Sequence, residues 1–128
     1  MGPGIWPEIL PMVARELRIR RGSDIDRVRS KGRSWSSRLL VLAILPNGLE
    51  HNRYGFTVGK RVGGSVERNR AKRLMREAIR HRHPTLVQGH DVLLIARNSF
   101  RDETTLAEVA EQLDGLLRRA GIRSAETG

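Results

Sequence analysis

Between Lys60 and Arg82 the chain reads Lys-Arg-Val-Gly-Gly-Ser-Val-Glu-Arg-Asn-Arg-Ala-Lys-Arg-Leu-Met-Arg-Glu-Ala-Ile-Arg-His-Arg. Lys60, Arg61, Arg68, Arg70, Lys72, Arg73, Arg76, Arg80 and Arg82 face only Glu67 and Glu77, so this stretch carries most of the formal net charge of +10. Guanidinium forks match phosphate oxygens, and a row of them can follow a nucleic-acid backbone. With two acids available, most of these cations lack a local partner, which favours an anionic ligand over a solvated helix face.

Other chemistries are poorly supplied. The histidines are His51, His81, His83 and His90. His81 and His83 with Asp91 form a conceivable metal set, but an i, i+2 pair splays apart on a helix, so no protein-bound metal is expected. No Ser-His-Asp or paired-carboxylate set stands out; Asp24 with Asp26, and Asp102 with Glu103, read as acids at helix starts. No residue is therefore expected to be catalytic. Gly59–Gly64 is glycine-rich but lacks the spacing of a nucleotide loop. The aromatics are Trp6, Trp35, Tyr54, Phe56 and Phe100, too few for a broad base-stacking platform. The absence of cysteine excludes disulfides, zinc ribbons and thiol catalysis. No 18-residue apolar run and no secretory leader is present, and Trp6 stands where a myristoylation signal needs Ser or Thr. The location expected is cytoplasmic, with no membrane partner.

The 128 residues fit one domain. Residues 1–14, with Pro3, Pro7 and Pro11, read as a flexible extension in which Met12 is a candidate start. Residues 15–120 read as a single RNA-binding domain, and 121–128 as a flexible tail. A second basic block runs from Arg15 to Arg38. Within it, Ser23-Asp24-Ile25-Asp26 has the form of a capping box, and the spacing predicts a helix over 23–31 with Ile25 and Val28 inward. Gly32 can end it in a left-handed conformation. Arg33–Ser37 extends or adds a strand.

Leu39–Leu45 is an unbroken apolar run, the mark of a strand buried on both faces. Pro46-Asn47-Gly48 then turns the chain. Tyr54, Phe56 and Val58 alternate with polar or small residues, so the two strands read as an antiparallel hairpin. Gly63 and Gly64 break the strand and Ser65 is the expected helix cap. Ala71, Leu74, Met75, Ala78 and Ile79 form an inner stripe, leaving Asn69, Arg73, Arg76 and Arg80 outward. Val92–Ala96 is a central strand, and Thr104 or Thr105 opens a last helix that Gly121 stops. The class is α/β (α+β), in the order α-β-β(-β)-α-β-α, with helices layered on a sheet. A crossover between parallel strands would by rule be right-handed.

Lys60-Arg61-Val62-Gly63, a short spacer, then Arg68-Asn69-Arg70-Ala71-Lys72-Arg73 on a helix resembles the signature of the bacterial ribonuclease P protein subunit. The resemblance covers about residues 15–118. It implies a two-layer α/β sandwich with a central mixed sheet and a left-handed βαβ crossover, overriding the general rule. It implies that catalysis belongs to the RNA subunit and its Mg²⁺, while the protein binds the ribonuclease P RNA and the 5′ leader of precursor tRNA, with no obligate protein partner. Its RNA-binding residues fall on Lys60, Arg61, Arg68, Asn69, Arg70, Lys72, Arg73 and Arg76, which Arg80 extends. The leader cleft maps to Ile25, Arg29, Arg38, Ala43 and Tyr54. Family members often carry aromatics at the positions of Ile25, Arg29 and Ala43, so leader contact here is expected to lean on charge and on Tyr54 or Trp35. The competing readings are a ribosomal-type RNA-binding protein and a stand-alone histidine nuclease.

Overall fold

The computed structural model describes residues 17–123, so the early arm with Trp6 and Met12, and the end beyond Arg123, lie outside it. The elements are α1 (Gly22–Lys31), β1 (Arg33–Ser36), β2 (Leu40–Pro46), β3 (Arg53–Val58), α2 (Ser65–Arg82), β4 (His90–Ala96) and α3 (Leu106–Ala120), with 3-10 turns at Lys60–Val62 and His83–Thr85.

The run Val92–Ala96 has no polar face, so β4 needs cover on both sides and partners along both edges. It obtains them between β2 and β3, in a sheet ordered β1-β2-β4-β3. β2 pairs with it antiparallel, Leu42 opposite Leu94, and β3 pairs with it parallel, Phe56 opposite Leu94. The hairpin expected between β2 and β3 is therefore wrong. Asn47-Gly48 does turn the chain: Gly48 has φ +72°, and the Asn47 side chain accepts from Leu49 N–H at 2.8 Å. The returning strand nevertheless lands one place away, and β4 takes the slot beside β2. Arg53 opposite Asp91 holds this register: Nε and Nη2 donate to the carboxylate at 2.9 and 2.7 Å, and Asn47 Nδ2 adds a third bond at 3.0 Å. α2 is the crossover between the two parallel strands.

Strand alternation divides the core. Leu40, Leu42, Ile44, Tyr54, Val92 and Leu94 meet α2 and α3 on one face. Ala43 and Leu93 meet Ile19 and Val28 on the other, with Ile25, Leu45 and Ile95 packed around them. The inner stripe of α2 buries Ala71, Met75, Ala78 and Ile79, while Leu74 is only partly covered. Arg82 clamps α2 to α3 through Asp114 at 2.6 Å. Ile122 is buried, and its carbonyl accepts from Val87 N–H at 2.7 Å.

Helix ends differ from the expectations in instructive ways. Ser23 caps nothing: α1 starts at Gly22, and the Asp24 carboxylate lies near Arg27 and Arg53 instead. Gly32 is extended, φ −77° and ψ 167°, not left-handed. Its reason is space, because a Cβ there would lie 2.5 Å from Val28 O and 2.6 Å from Ile44 O. Thr105 does cap α3, accepting from Glu108 N–H at 3.1 Å, and Gly121 ends it at φ +73°.

Tyr54 lies in the α2/α3 core at 1% exposure. Its hydroxyl meets His83 Nδ1 at 2.6 Å and accepts from Asn52 Nδ2 at 3.2 Å. Burial, helped by the charge of His51, pushes the His83 pKa down to about 4. Neutral His83 is then the acceptor for the phenol.

Gly32→Ala keeps an allowed φ but drives a methyl into two backbone carbonyls, and should lower the unfolding free energy in urea by about 3 kcal/mol. The unfolded chain protonates His83 near its ordinary 6.5 and the native state only near 4, so the unfolded state binds more protons between those values. This contribution to stability is present above pH 6.5 and is lost as pH falls toward 4. His83→Gln keeps an acceptor without the titration, so its stability measured from pH 7 to 4 should fall less steeply than that of the wild type.

Candidate nucleic-acid interface

α2 begins where Gly63, at φ +153°, lets the chain close on itself. A Cβ on Gly63 would lie 2.7 Å from Glu67 Cβ, so a larger residue would displace Glu67. Glu67 Oε1 accepts from Gly64 N–H at 2.9 Å, and Gly64 O accepts from Arg68 N–H. Gly64, not the expected Ser65, is therefore the cap residue, and the cap bond comes from the third helical residue.

This start presents the signature residues as one surface. Lys60, Arg61, Asn69 and Arg73 are exposed, and Arg68, Lys72 and Arg76 are half-buried. Among the described residues, none of these side chains has a hydrogen-bond or ion-pair partner. Arg76 Nε is buried and unbonded. The Arg76 pKa is pushed down, first by burial and then by the charges of Arg18 and Arg73. Two predicted members differ. Arg70 Nη2 donates to Thr104 O at 2.7 Å, tying α2 to the turn before α3. Arg80 forms a two-pronged pair with Glu77, which depresses the Glu77 carboxyl and raises Arg80. Arg80 brings little net charge to the surface.

A groove of about 540 Å³ opens at the C-terminal ends of β3 and β4 beside α1, lined by Arg29, Thr57, Val58, Gly59, Ile95, Ala96, Arg97 and Asn98. Arg29 Nη2 reaches Thr57 Oγ1 at 3.4 Å. Of the residues expected at the leader cleft, Arg29 lines this groove. Ile25 packs near Ala43, which is 2% exposed and closed off beneath α1. Tyr54 is a correction: its strand parity turns it to the opposite sheet face, into the core with His83. Arg38 is exposed in the β1–β2 turn and does not line the groove, although the lining residue Arg97 bonds the carbonyls of its neighbours Ser37 and Leu39. Trp35 also faces the α2/α3 side, with Arg33 stacked 5.0 Å from its ring centre. Sequence reasoning missed Thr57, Arg97 and Asn98. Thr57 was findable, since alternation puts it opposite Tyr54 and Phe56. Arg97 and Asn98 join only because β4 is the neighbour of β3.

The candidate metal ligands separate: His81 pairs with Glu77 at 2.9 Å, His83 with Tyr54, and Asp91 with Arg53.

The family model for Ribonuclease P matches residues 13–121. The "Ribonuclease P protein component" of Alkaliphilus metalliredigens is 41% identical over 107 residues, covering 84% of this chain and 96% of that protein. The structure of the Staphylococcus aureus RNase P protein superposes with a TM-score of 0.76 at 30% identity, covering 84% of this chain and 98% of the other. That of the Thermotoga maritima RNase P protein does so with a TM-score of 0.73 at 28% identity, covering 80% and 96%. A signature helix, a mixed sheet and a basic surface that the sequence matches over most of its length place this chain in the ribonuclease P protein family.

Proposed function

We propose that the chain is the protein component of ribonuclease P, assisting removal of the 5′ leader of precursor tRNA. It binds the catalytic RNA through the unpaired cations of α2 and holds the leader along the groove between α1 and the sheet. The observation that carries this reading is the row Arg68, Lys72, Arg73 and Arg76 on one helix, left without neutralising partners among the described residues. Cations kept unpaired on a folded surface repel one another, and a polyanion relieves that cost.

Among the described residues, the groove lining holds no carboxylate, histidine or thiol to take or give a proton. In this reading bond cleavage belongs to the RNA, which would carry the Mg²⁺ supplying charge stabilisation and the attacking water. The protein's part is placement: Arg29, Arg97, Asn98 and Thr57 offer charge and hydrogen bonds to a single strand, without aromatic stacking. Among the described residues no helix is long and apolar enough to cross a membrane. A cytoplasmic setting, where precursor tRNA is met, goes with this reading.

Cleavage of precursor tRNA at low Mg²⁺ by RNA alone, protein alone and both together tests it. Protein alone should be inactive, and its addition should accelerate the RNA. No acceleration at any Mg²⁺ or salt concentration overturns the proposal, and cleavage by RNA-free protein would move the chemistry onto this chain. Arg68→Ala with Arg73→Ala should weaken binding to the RNA and flatten the slope of log affinity against log salt by about one to two. Arg80→Ala, already neutralised by Glu77, should change that slope by less than about half a unit.

A further inference from the structure

A second basic hollow lies at the other end of α1, outside the signature. Arg18, Arg20, Arg21, Asp24 and Arg53 line a space of about 750 Å³. The chain reaches it along the outer edge of β3: Ile19 N–H donates to Tyr54 O at 2.8 Å, and Arg18 forms a parallel bridge with Tyr54. Ile19 is buried against the α1-side core, where its side chain lies over Gly55. That anchors the backbone from which Arg18 and Arg20 extend.

The hollow has a rigid wall and free donors. Arg53 is fixed by two bonds to Asp91, whose side chain is 1% exposed. Arg18, Arg20 and Arg21 have no side-chain partner among the described residues. Among the described residues Asp24 is the one lining carboxylate, and Arg53 at 3.8 Å and Arg27 at 3.9 Å offset its charge. Arg21 precedes the first turn of α1, whose N–H groups no side chain caps, so the helix end adds donors of the same sense. Several guanidinium forks converging beside such a helix start fit the oxygens of one phosphate group. The charge of Arg18 is also felt at Arg76 on α2, so the hollow and the signature face share one field that a single polyanion can satisfy.

We propose that this hollow binds a backbone phosphodiester of the RNA partner, a second anchor that Arg18, Arg20 and Arg21 build at the N-terminal end of α1 against a fixed Arg53. The inference rests on the ribonuclease P reading and supplies a contact separate from α2. The phosphate belongs to the catalytic RNA or to the precursor-tRNA leader, and the two are separable by experiment.

Arg20→Gln with Arg21→Gln alters two exposed side chains, so the fold should be kept, as a thermal unfolding scan will show. Lys31→Gln with Arg118→Gln, two exposed cations outside the hollow, is the charge-matched control. The full chain is titrated against ribonuclease P RNA, and the assembled complex against precursor tRNA with and without its leader, from 50 to 200 mM salt. The hollow variant should lose about tenfold in affinity and about one to two in salt slope, and the control less than about threefold. Loss against the catalytic RNA assigns the phosphate to it; loss confined to leader-bearing substrate assigns it to the leader. Equal losses in variant and control, or an unchanged slope in both arms, overturn the proposal. Failure of the wild type to bind either RNA would overturn the ribonuclease P reading itself, and this site with it.

Discussion

The ion pair between Arg53 and Asp91 is the contact on which the rest of the architecture depends. A carboxylate at 1% exposure costs several kcal/mol to desolvate unless its lone pairs are well used. Here they receive the guanidinium fork of Arg53 and the amide of Asn47. The fork sets β3 parallel to β4, and the amide ties the end of β2 to the same point. The hydrogen bond to Asp91, outweighing desolvation, raises the Arg53 pKa, so the cation is held firmly charged at a sheet edge. Nearby, the fully buried Asn52 bonds Gln88, Tyr54, Val87 and His90. This polar corner is paired at nearly every atom, so it specifies one register instead of permitting several.

With β3 and β4 fixed side by side, the segment between them must cross over one face, and α2 is that segment. Its inner stripe is buried by the sheet and α3, which leaves its cations on the outside by helical geometry. The fold thus converts a sequence with excess positive charge into a directed surface. Some arginines are spent on structure: Arg53 on Asp91, Arg80 on Glu77, Arg82 on Asp114 and Arg70 on a carbonyl. Of those left over, Arg68, Arg73 and Arg76 lie on α2, and Arg18, Arg20 and Arg21 at the N-terminal end of α1. The lowered pKa of Arg76 records both its burial and the crowding of like charge around it.

Much of the fold was legible in the sequence because it is local. The apolar stripe of α2, the Thr105 cap, the Gly121 stop and the alternation in β3 depend on residues a few positions apart, so periodicity reveals them. The signature residues were legible for the same reason, since helical spacing alone turns Asn69 and Arg73 outward. Where local reading failed, a competing tertiary contact won. Asp24 joins Arg53 while Ser23 leaves the helix start uncapped, and Gly32 makes room for Ile44 O instead of turning left-handed.

The sequence by itself determined the elements, the basic partner-seeking helix and the family. Only the tertiary structure decided strand order, which cations remain free, that Tyr54 belongs to the core, and where the two hollows lie. The reason is physical: side-chain periodicity is set by neighbouring residues along the chain, whereas strand neighbours and charge pairing join groups far apart in sequence. Arg53 with Asp91 and Arg70 with Thr104 are separated by 38 and 34 residues. No local pattern encodes such pairs before the chain has closed.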